Sequence, residues 1–152
     1  MSTKNVLIAS DHAGFSLKAL IQKTLPEITW EDLGPLLSDR VDYPDFAEKL
    51  ARKISSGDAT RGILICGSGI GMSITANKFA GIRAAVVENP VSARLSREHN
   101  DANVLCLGSR LLAAEYAAEI AQVWLSTPFT REGRHQMRID KILEIEKKAG
   151  IK

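Results

Sequence analysis

Short apolar segments alternate with amphipathic ones along most of this chain. Apolar runs bounded by Gly, Pro or polar residues predict strands, and apolar residues three or four positions apart predict helices. The predicted strands cover residues 6–9, 28–33, 62–66, 82–87 and 104–107, and the predicted helices cover residues 15–25, 44–56, 72–79, 90–98, 111–125 and 132–148. Strands and helices therefore follow each other in turn until the last two helices.

This alternation predicts a three-layer α/β/α sandwich of Rossmann-like type around a five-stranded parallel sheet. Residues 62–66 are apolar on both faces, which is typical of a central parallel strand. We expect the flavodoxin-like strand order 2-1-3-4-5. The last predicted helix is far more charged than the others, so we expect a single domain over residues 1–152 with a C-terminal helical extension from about residue 130.

The composition is that of an average globular protein. Its 152 residues suit one domain, and 45% hydrophobic with 25% charged residues is too apolar for a disordered chain. The net charge of +2 comes without a basic stripe, which argues against nucleic-acid binding. The longest uncharged run, residues 62–77, contains glycines and polar residues and does not fit a membrane span.

The cysteines and the N-terminus indicate the cellular compartment in which the protein works. Cys66 and Cys106 both lie in apolar runs, which favours a reducing environment over a disulfide framework. Residues 1–5 lack the charged-then-apolar plan of a secretory signal. We therefore expect a cytoplasmic protein.

A glycine-rich loop follows the third predicted strand, with Gly67, Gly69 and Gly71 in five residues. Such spacing lets successive backbone N–H groups turn inward and form an anion-binding nest ahead of a helix. The loop is not a dinucleotide fingerprint, because Met72 stands at the third glycine position, and no Lys-Ser/Thr pair completes a phosphate-binding Walker loop. The plainer interpretation is a tight strand-to-helix turn.

Cys66 lies directly before this loop, where inward-pointing amides would favour a reactive thiolate. The alternative is that Cys66 is a small apolar residue that closes a buried strand. A cysteine-phosphatase loop, C-x5-R, is disfavoured because Met72 replaces the arginine that would clamp a phosphoryl group. We expect Cys106 to be structural.

Asp11 and His12 follow the first predicted strand. The carboxyl ends of neighbouring parallel strands share one edge of the sheet, where ligands bind in open α/β folds. If the first and third strands are neighbours, Asp11, His12 and Cys66 face the same crevice.

A second polar cluster lies in the C-terminal half. It comprises His99, Asn100, Arg110, Arg134 and Arg138. Arg134 and Arg138 are four residues apart, so they share one helix face and could grip a phosphate together. The alternatives are a solvated basic face and a surface histidine. The helix that ends at His99 runs antiparallel to the strands, so a site shared with Cys66 requires two subunits.

Seven motifs resemble one known family. They are IASDHAGF at residues 8–15, DYPD at 42–45, GILICGSGIGMS at 62–73, ANK at 76–78, GIRA at 81–84, HNDANV at 99–104 and GRHQMR at 133–138. In this order and over nearly the whole chain, they are similar to the type B ribose-5-phosphate isomerases, in the superfamily that also contains the galactose-6-phosphate isomerase subunits. Some members use a glutamate at the position of Met72, so this chain resembles the members with a catalytic cysteine.

The resemblance implies interconversion of ribose 5-phosphate and ribulose 5-phosphate through a cis-enediolate, without metal or organic cofactor. It implies that Cys66 is the general base, that Ser68 and the loop amides stabilise the oxyanion, and that His99 of a partner chain opens the sugar ring with help from Asp11. The implied substrate-binding residues are His12, Tyr43, Gly67, Gly69, Gly71, Asn100, Arg110, Arg134 and Arg138.

The resemblance also implies a homodimer with shared active sites and with the C-terminal extension in the dimer contact. A tetramer is the alternative assembly. Two alternatives stay open for the activity. One is isomerisation of a six-carbon sugar phosphate, such as allose 6-phosphate or galactose 6-phosphate, and the other is a non-catalytic sugar-phosphate-binding protein.

Overall fold

A parallel five-stranded sheet forms the centre of the computed structural model, which describes residues 5–152. Residues 1–4, to which the expectation about a secretory signal mainly applies, lie outside the described residues. The strands are β1 (Val6–Ser10), β2 (Trp30–Asp32), β3 (Gly62–Cys66), β4 (Ala84–Val86) and β5 (Val104–Gly108). The helices are α1 (Phe15–Thr24), α2 (Tyr43–Ser55), α3 (Ile70–Ala76), α4 (Pro90–Asn100), α5 (Ala114–Ser126) and α6 (Gly133–Lys148).

The sheet confirms the predicted fold class and corrects the strand order. The order is β2-β1-β3-β5-β4, so β1 and β3 are neighbours as predicted, with Ile8 opposite Ile63. The flavodoxin-like order 2-1-3-4-5 is wrong, because β5 lies between β3 and β4. The longer strand β5 is buried throughout, whereas the three residues of β4 are only half-buried. Placing β5 inside the sheet removes more apolar surface from water, and it leaves the short strand at the edge.

Two apolar cores lie on opposite faces of the sheet. On one face, α2 and α3 pack against residues such as Leu7 and Leu64, with Leu50 of α2 fully buried. On the other face, α1, α4 and α5 cover Ile8 and Ile63, and Trp124 of α5 is fully buried there. Successive residues of each strand point to opposite faces, which explains why strands that are apolar at every position form this three-layer fold.

The charged helix α6 packs on α4, outside the two cores. Its far end is attached by the Glu146 carboxylate, which accepts hydrogen bonds from the Gly81 N–H at 2.9 and 3.0 Å. Its exposed apolar side chains include Met137, Ile142 and Ile145. Within residues 5–152, no helix combines the length and the apolarity needed to cross a bilayer.

Candidate active site

A cavity of about 540 Å³ opens at the carboxyl edge of the sheet, beyond the ends of β1 and β3. It is lined by Asp11, Tyr43, Cys66, Gly67, Ser68, Ile70, Gly71, Ile74, Arg110 and Leu111. Parallel strands place the loops after their carboxyl ends side by side, which is why residues distant in sequence meet here. The predicted meeting of the Asp11 loop and the Cys66 loop is therefore present in the structure.

Cys66 is the last residue of β3, and its thiol has two kinds of contact. It belongs to the core on the α2 and α3 face, where only 4% of its surface is exposed, and it also lines the cavity. The Gly69 N–H donates a hydrogen bond to its Sγ at 3.1 Å. The sulfur is thus held in place with an N–H dipole directed at it, in a residue that lines the cavity.

Two other residues near Cys66, Cys106 and Met72, do not line the cavity. Cys106 is fully buried on β5, and burial raises the pKa of its thiol, so it stays protonated and inert. Met72 is fully buried in the core. In the part of the chain that the structure describes, the cysteine that lines the cavity is Cys66.

The glycine loop is shaped by its close approach to β5. Gly69 has a φ of 77°, in the left-handed region, and a Cβ at this position would lie 3.0 Å from the carbonyl carbon of Leu107. The Ser68 Oγ accepts a hydrogen bond from the Ile70 N–H at 3.2 Å. No hydrogen bond within the described residues occupies the N–H groups of Ser68 and Gly71, which leaves both free to bind a ligand oxygen.

Tyr43 and Arg110 close over the same loop. A Cβ at residue 71 would lie 2.5 Å from the Tyr43 Cζ, so the glycine is what allows the ring to lie there. A Cβ at residue 67 would lie 3.1 Å from an Arg110 Nη1. A phenol and an exposed guanidinium therefore flank the cavity, and the guanidinium supplies positive charge for an anionic substrate group.

Asp11 and His12 have different positions. The Asp11 N–H donates to the Ile65 carbonyl oxygen at 3.0 Å, and its Oδ1 accepts from the Gly14 N–H at 3.0 Å, which holds the carboxylate at the cavity wall. The His12 Nδ1 lies 3.1 Å from the carbonyl oxygen of Val41. His12 is not among the residues that line the cavity, so the prediction that it faces the Cys66 crevice is not met there. Within residues 5–152, no group of three or more His, Cys, Asp or Glu side chains is arranged to hold a metal ion.

His99, Asn100, Arg134 and Arg138 lie in a separate cluster. None of these described residues lines the Cys66 cavity. Just after α4, the Asn103 carbonyl oxygen accepts a hydrogen bond from the N–H of Gly62, the first residue of β3. The end of α4 is thus at the amino edge of the sheet, roughly 13 Å of strand away from Cys66 at the usual rise per residue.

His135 is a residue of this second cluster that the sequence reasoning did not single out. Its ring stacks on that of His99, with centroids 4.4 Å apart and planes 12° from parallel. Burial lowers the pKa of His135, and the nearby His99, Arg134 and Arg138 lower it further. The signal in the sequence was its spacing of four from Ile139, which marks the buried face of α6.

The cavity lining also includes three exposed apolar residues that the sequence did not predict as site residues: Ile70, Ile74 and Leu111. Ile70 and Ile74 are one helical turn apart on α3, so they form one apolar rim beside the glycine loop.

Comparison with known proteins identifies the class to which this fold and cavity belong. The model of the family described as Ribose/Galactose Isomerase matches residues 6–142, so the chain is a member of that family. The resemblance of the sequence motifs is thereby confirmed.

The chain is 47% identical to ribose-5-phosphate isomerase B of Escherichia coli over 147 residues, which cover 95% of this chain and 98% of that protein. The solved structure of ribose-5-phosphate isomerase B from Clostridium thermocellum is similar with a TM-score of 0.91 at 48% identity, covering 95% of this chain and 99% of that one. Another similar structure is that of ribose-5-phosphate isomerase B from Mycoplasma genitalium with bound ribulose 5-phosphate, with a TM-score of 0.89, 45% identity and coverage of 94% and 96%.

Proposed function

We propose that this protein interconverts ribose 5-phosphate and ribulose 5-phosphate. The observation that carries the proposal is the Cys66 cavity, in which a thiol, free backbone N–H groups, a carboxylate and a guanidinium surround a space large enough for a phosphorylated pentose. The relatives named ribose-5-phosphate isomerase B, which this chain matches over nearly its whole length, support the same substrate pair.

In this proposal, Cys66 is the base. Its thiolate removes the proton from C2 of the open-chain aldose, the electron pair of the C–H bond forms the C1–C2 double bond, and the carbonyl oxygen at C1 becomes an enediolate oxygen. The same thiol returns the proton to C1 with the electron pair of the C1–C2 double bond. The C2 hydroxyl becomes the ketone as its proton passes to the enediolate oxygen on C1, which becomes the C1 hydroxyl. The Gly69 N–H that donates to Sγ at 3.1 Å stabilises negative charge on the sulfur before the transfer.

The glycine loop stabilises the enediolate. A proton next to a carbonyl is weakly acidic, so the negative oxygen must be bound as it forms. The N–H groups of Ser68 and Gly71 have no partner within the described residues and are suited to this role, with the Ser68 hydroxyl beside them. Gly67 and Gly69 shape the loop that carries these donors.

His99 contributes from a second protomer in this proposal. It opens the furanose ring together with Asp11, because the amino edge of one protomer can cover the carboxyl edge of another but not its own. Asn100 would bind sugar oxygens. The substrate phosphate would be held by Arg110 and His12 of one protomer and by Arg134 and Arg138 of the other. Residues 1–152 would then act as one domain whose C-terminal extension, α6, takes part in the dimer contact.

A six-carbon sugar phosphate is the second candidate substrate, because the description of the matching family covers both ribose and galactose isomerases. The same Cys66 chemistry applies to either sugar. A panel of ribose 5-phosphate, allose 6-phosphate and galactose 6-phosphate in a coupled isomerase assay distinguishes them. The proposal expects the largest kcat/KM for ribose 5-phosphate, and a larger value for either hexose phosphate would overturn the choice of substrate.

Substitution of Cys66 tests the base directly. We expect Cys66→Ala to lower kcat by about 10²- to 10⁴-fold, the usual contribution of a general base, with little change in affinity for an inert phosphorylated analogue. The measurement is exchange of the C2 proton with deuterated solvent, followed by NMR. Cys106→Ala is the matched control and should keep its exchange activity. Undiminished exchange in Cys66→Ala would show that another group is the base.

A further inference from the structure

A second cavity of about 540 Å³ lies at the amino edge of the sheet, away from the Cys66 cavity. Its walls come from the segments around the starts of β3 and β5. Two backbone hydrogen bonds place these segments at the amino edge. The Leu7 N–H donates to the Arg61 carbonyl oxygen, and the Gly62 N–H donates to the Asn103 carbonyl oxygen. We call it the amino-edge pocket, and its polar lining includes Thr60, Arg61, Arg83, Arg97, Asp101 and Asn103. Its volume is in the range of small-molecule sites.

The lining carries three guanidinium groups and the carboxylate of Asp101. Arg97 binds that carboxylate at 2.8 Å, and Arg83 contacts it at 3.4 Å. Arg61 makes no ion pair among the residues that the structure describes. The positive charge of the pocket is therefore only partly compensated by the protein.

Each of these arginines keeps unused donors. Arg61 donates through Nη1 to the Leu125 carbonyl oxygen at 2.9 Å, and its Nε and Nη2 make no hydrogen bond within residues 5–152. Nη2 of Arg97 and Nη1 of Arg83 likewise make no hydrogen bond within those residues. Guanidinium N–H groups are well suited to phosphate oxygens.

Two of the guanidinium groups are held in place before any ligand binds. Arg61 and Arg97 both lie over the ring of the buried Trp124, at 5.9 and 5.6 Å from its centroid. Burial lowers the pKa of Arg61, and the charge of Arg97 lowers it further. The two cations thus disfavour each other in a partly dehydrated site, and an anion between them would relieve that cost.

We propose that the amino-edge pocket binds a phosphate-bearing small molecule through Arg61, Arg83 and Arg97. The phosphate takes the unused guanidinium donors. The rest of the molecule faces hydroxyl and amide groups of the lining, such as those of Thr60, Thr127 and Asn103. The lining is mixed, with Ile54 and Leu125 beside these polar groups, and suits a hydroxylated or heteroaromatic body rather than a hydrocarbon chain.

The pocket shares a residue with the segment that carries His99. Asp101 directly follows α4, two residues after His99, with a φ of 45°, and Arg97 binds its carboxylate. A phosphate on the unused Nη2 of Arg97 shares that guanidinium with Asp101 and repels the Asp101 carboxylate, which changes how firmly the His99 segment is held. Any effect on turnover rests on the proposed role of His99, whereas binding itself does not.

Titration with inorganic phosphate, the smallest ligand of this class, tests the proposal by NMR. The side-chain Nε–H signals of Arg61 and Arg97 report on the amino-edge pocket. The amides of Gly67 and Gly69 report on the Cys66 cavity in the same titration. We expect saturable shifts of the first set with their own dissociation constant. Shifts confined to Gly67 and Gly69 would overturn the proposal and leave the proposed isomerase function untouched.

Variants assign the binding to the pocket. Arg61→Gln should weaken phosphate binding at the amino-edge pocket about tenfold, the effect of losing one charge-assisted hydrogen bond. Arg52→Gln is the matched control on the outer surface of α2, where Arg52 pairs with Glu48. Thr60→Asp is the second variant, for use if Arg61→Gln does not fold. It removes no hydrogen bond within the described residues and places a carboxylate beside Arg61, so it should weaken phosphate binding by a similar factor. Equal affinities in native protein and Thr60→Asp would refute the site.

Discussion

Gly69 shows at the residue scale how backbone shape produces the candidate active site. Its left-handed φ directs the loop across the end of β5, and this turn brings its N–H to the Cys66 sulfur. Glycine occupies such conformations without the steric penalty that a Cβ imposes. The three-glycine spacing therefore indicated a real constraint, whereas the contact with the Leu107 backbone was visible only in the structure.

A comparison of Gly69→Ala with Gly81→Ala should separate the effect of the contact with β5 from the effect of the left-handed φ. Gly81 has the same φ of 77°, but a Cβ there would meet no atom within 4 Å. We expect Gly81→Ala to cost about 1–2 kcal/mol of unfolding free energy from strain, and Gly69→Ala to cost about 2–4 kcal/mol because the loop must also move off β5. Urea unfolding measures both. Only Gly69→Ala should also lower kcat, and equal effects of the two variants would contradict this explanation.

His135 allows a prediction about pH. Because burial and the charges of His99 and two arginines lower its pKa, folded His135 takes up a proton at lower pH than the unfolded residue does. The unfolded state therefore binds more protons in the window below the ordinary value of 6.5, and His135 makes the folded state less stable as the pH falls through that window.

The measurement is an NMR titration of the His135 ring in folded protein and in urea-unfolded protein. The folded midpoint should be lower than the unfolded one, and His135→Asn should lose part of the acid destabilisation seen by denaturant unfolding. A folded midpoint at or above the unfolded one would reverse the sign and refute the account. The His99 contact that underlies it joins two helices that no local pattern connects, so it was not predictable from the sequence.

At the scale of elements, α1 and the end of β2 are joined by a buried cation. Lys18 of α1 is 3% exposed, and its Nζ donates to Asp32 Oδ1 and to the Pro35 carbonyl oxygen, both at 2.8 Å. A buried ammonium without its carboxylate is costly, because the low-dielectric interior replaces little of its hydration. The periodicity of α1 predicted a helix, but Lys18 at a buried position breaks the simple apolar stripe and needs this partner.

Asp32→Asn tests that pair. We expect a loss of about 2 kcal/mol or more of unfolding free energy, because Lys18 stays buried when the charge of its partner is removed. Glu48→Gln is the control, since the Glu48–Arg52 pair is exposed and should contribute only about 0.5 kcal/mol. Chemical denaturation at pH 7 compares the two. A loss in Asp32→Asn no larger than that in Glu48→Gln would mean that Lys18 gains little from the ion pair.

At the scale of the whole molecule, the sheet separates two sets of polar residues. Cys66, Asp11 and Arg110 are at the carboxyl edge, whereas His99 is at the amino edge beside α6. The body of the sheet lies between them, so side-chain motion cannot bring them into one site. This separation is the physical basis for the proposed sharing of active sites between protomers.

A mixing experiment tests the sharing. Cys66→Ala and His99→Asn homodimers should each be nearly inactive, but a mixed dimer has one site with both defects and one site with neither. After subunit exchange at equal amounts, about a quarter of native activity should appear, since half of the dimers are mixed and each has one intact site. A mixture of Cys66→Ala with Cys66→Ala,His99→Asn protein is the control and should stay inactive. No recovery after proven exchange would refute the shared site.

Local sequence determined the kind of each element, the apolar central strands and the glycine loop after Cys66. These features depend on side-chain periodicity and on backbone angles within a few residues, so a short segment contains the relevant physics. The tertiary structure decided that β5 lies between β3 and β4 and that His135 stacks on His99. It also decided that Arg61 and Arg97 lie over the same Trp124 ring and line the same pocket. These arrangements depend on which surfaces are buried together when the whole chain folds, a global balance of free energy that no single segment expresses.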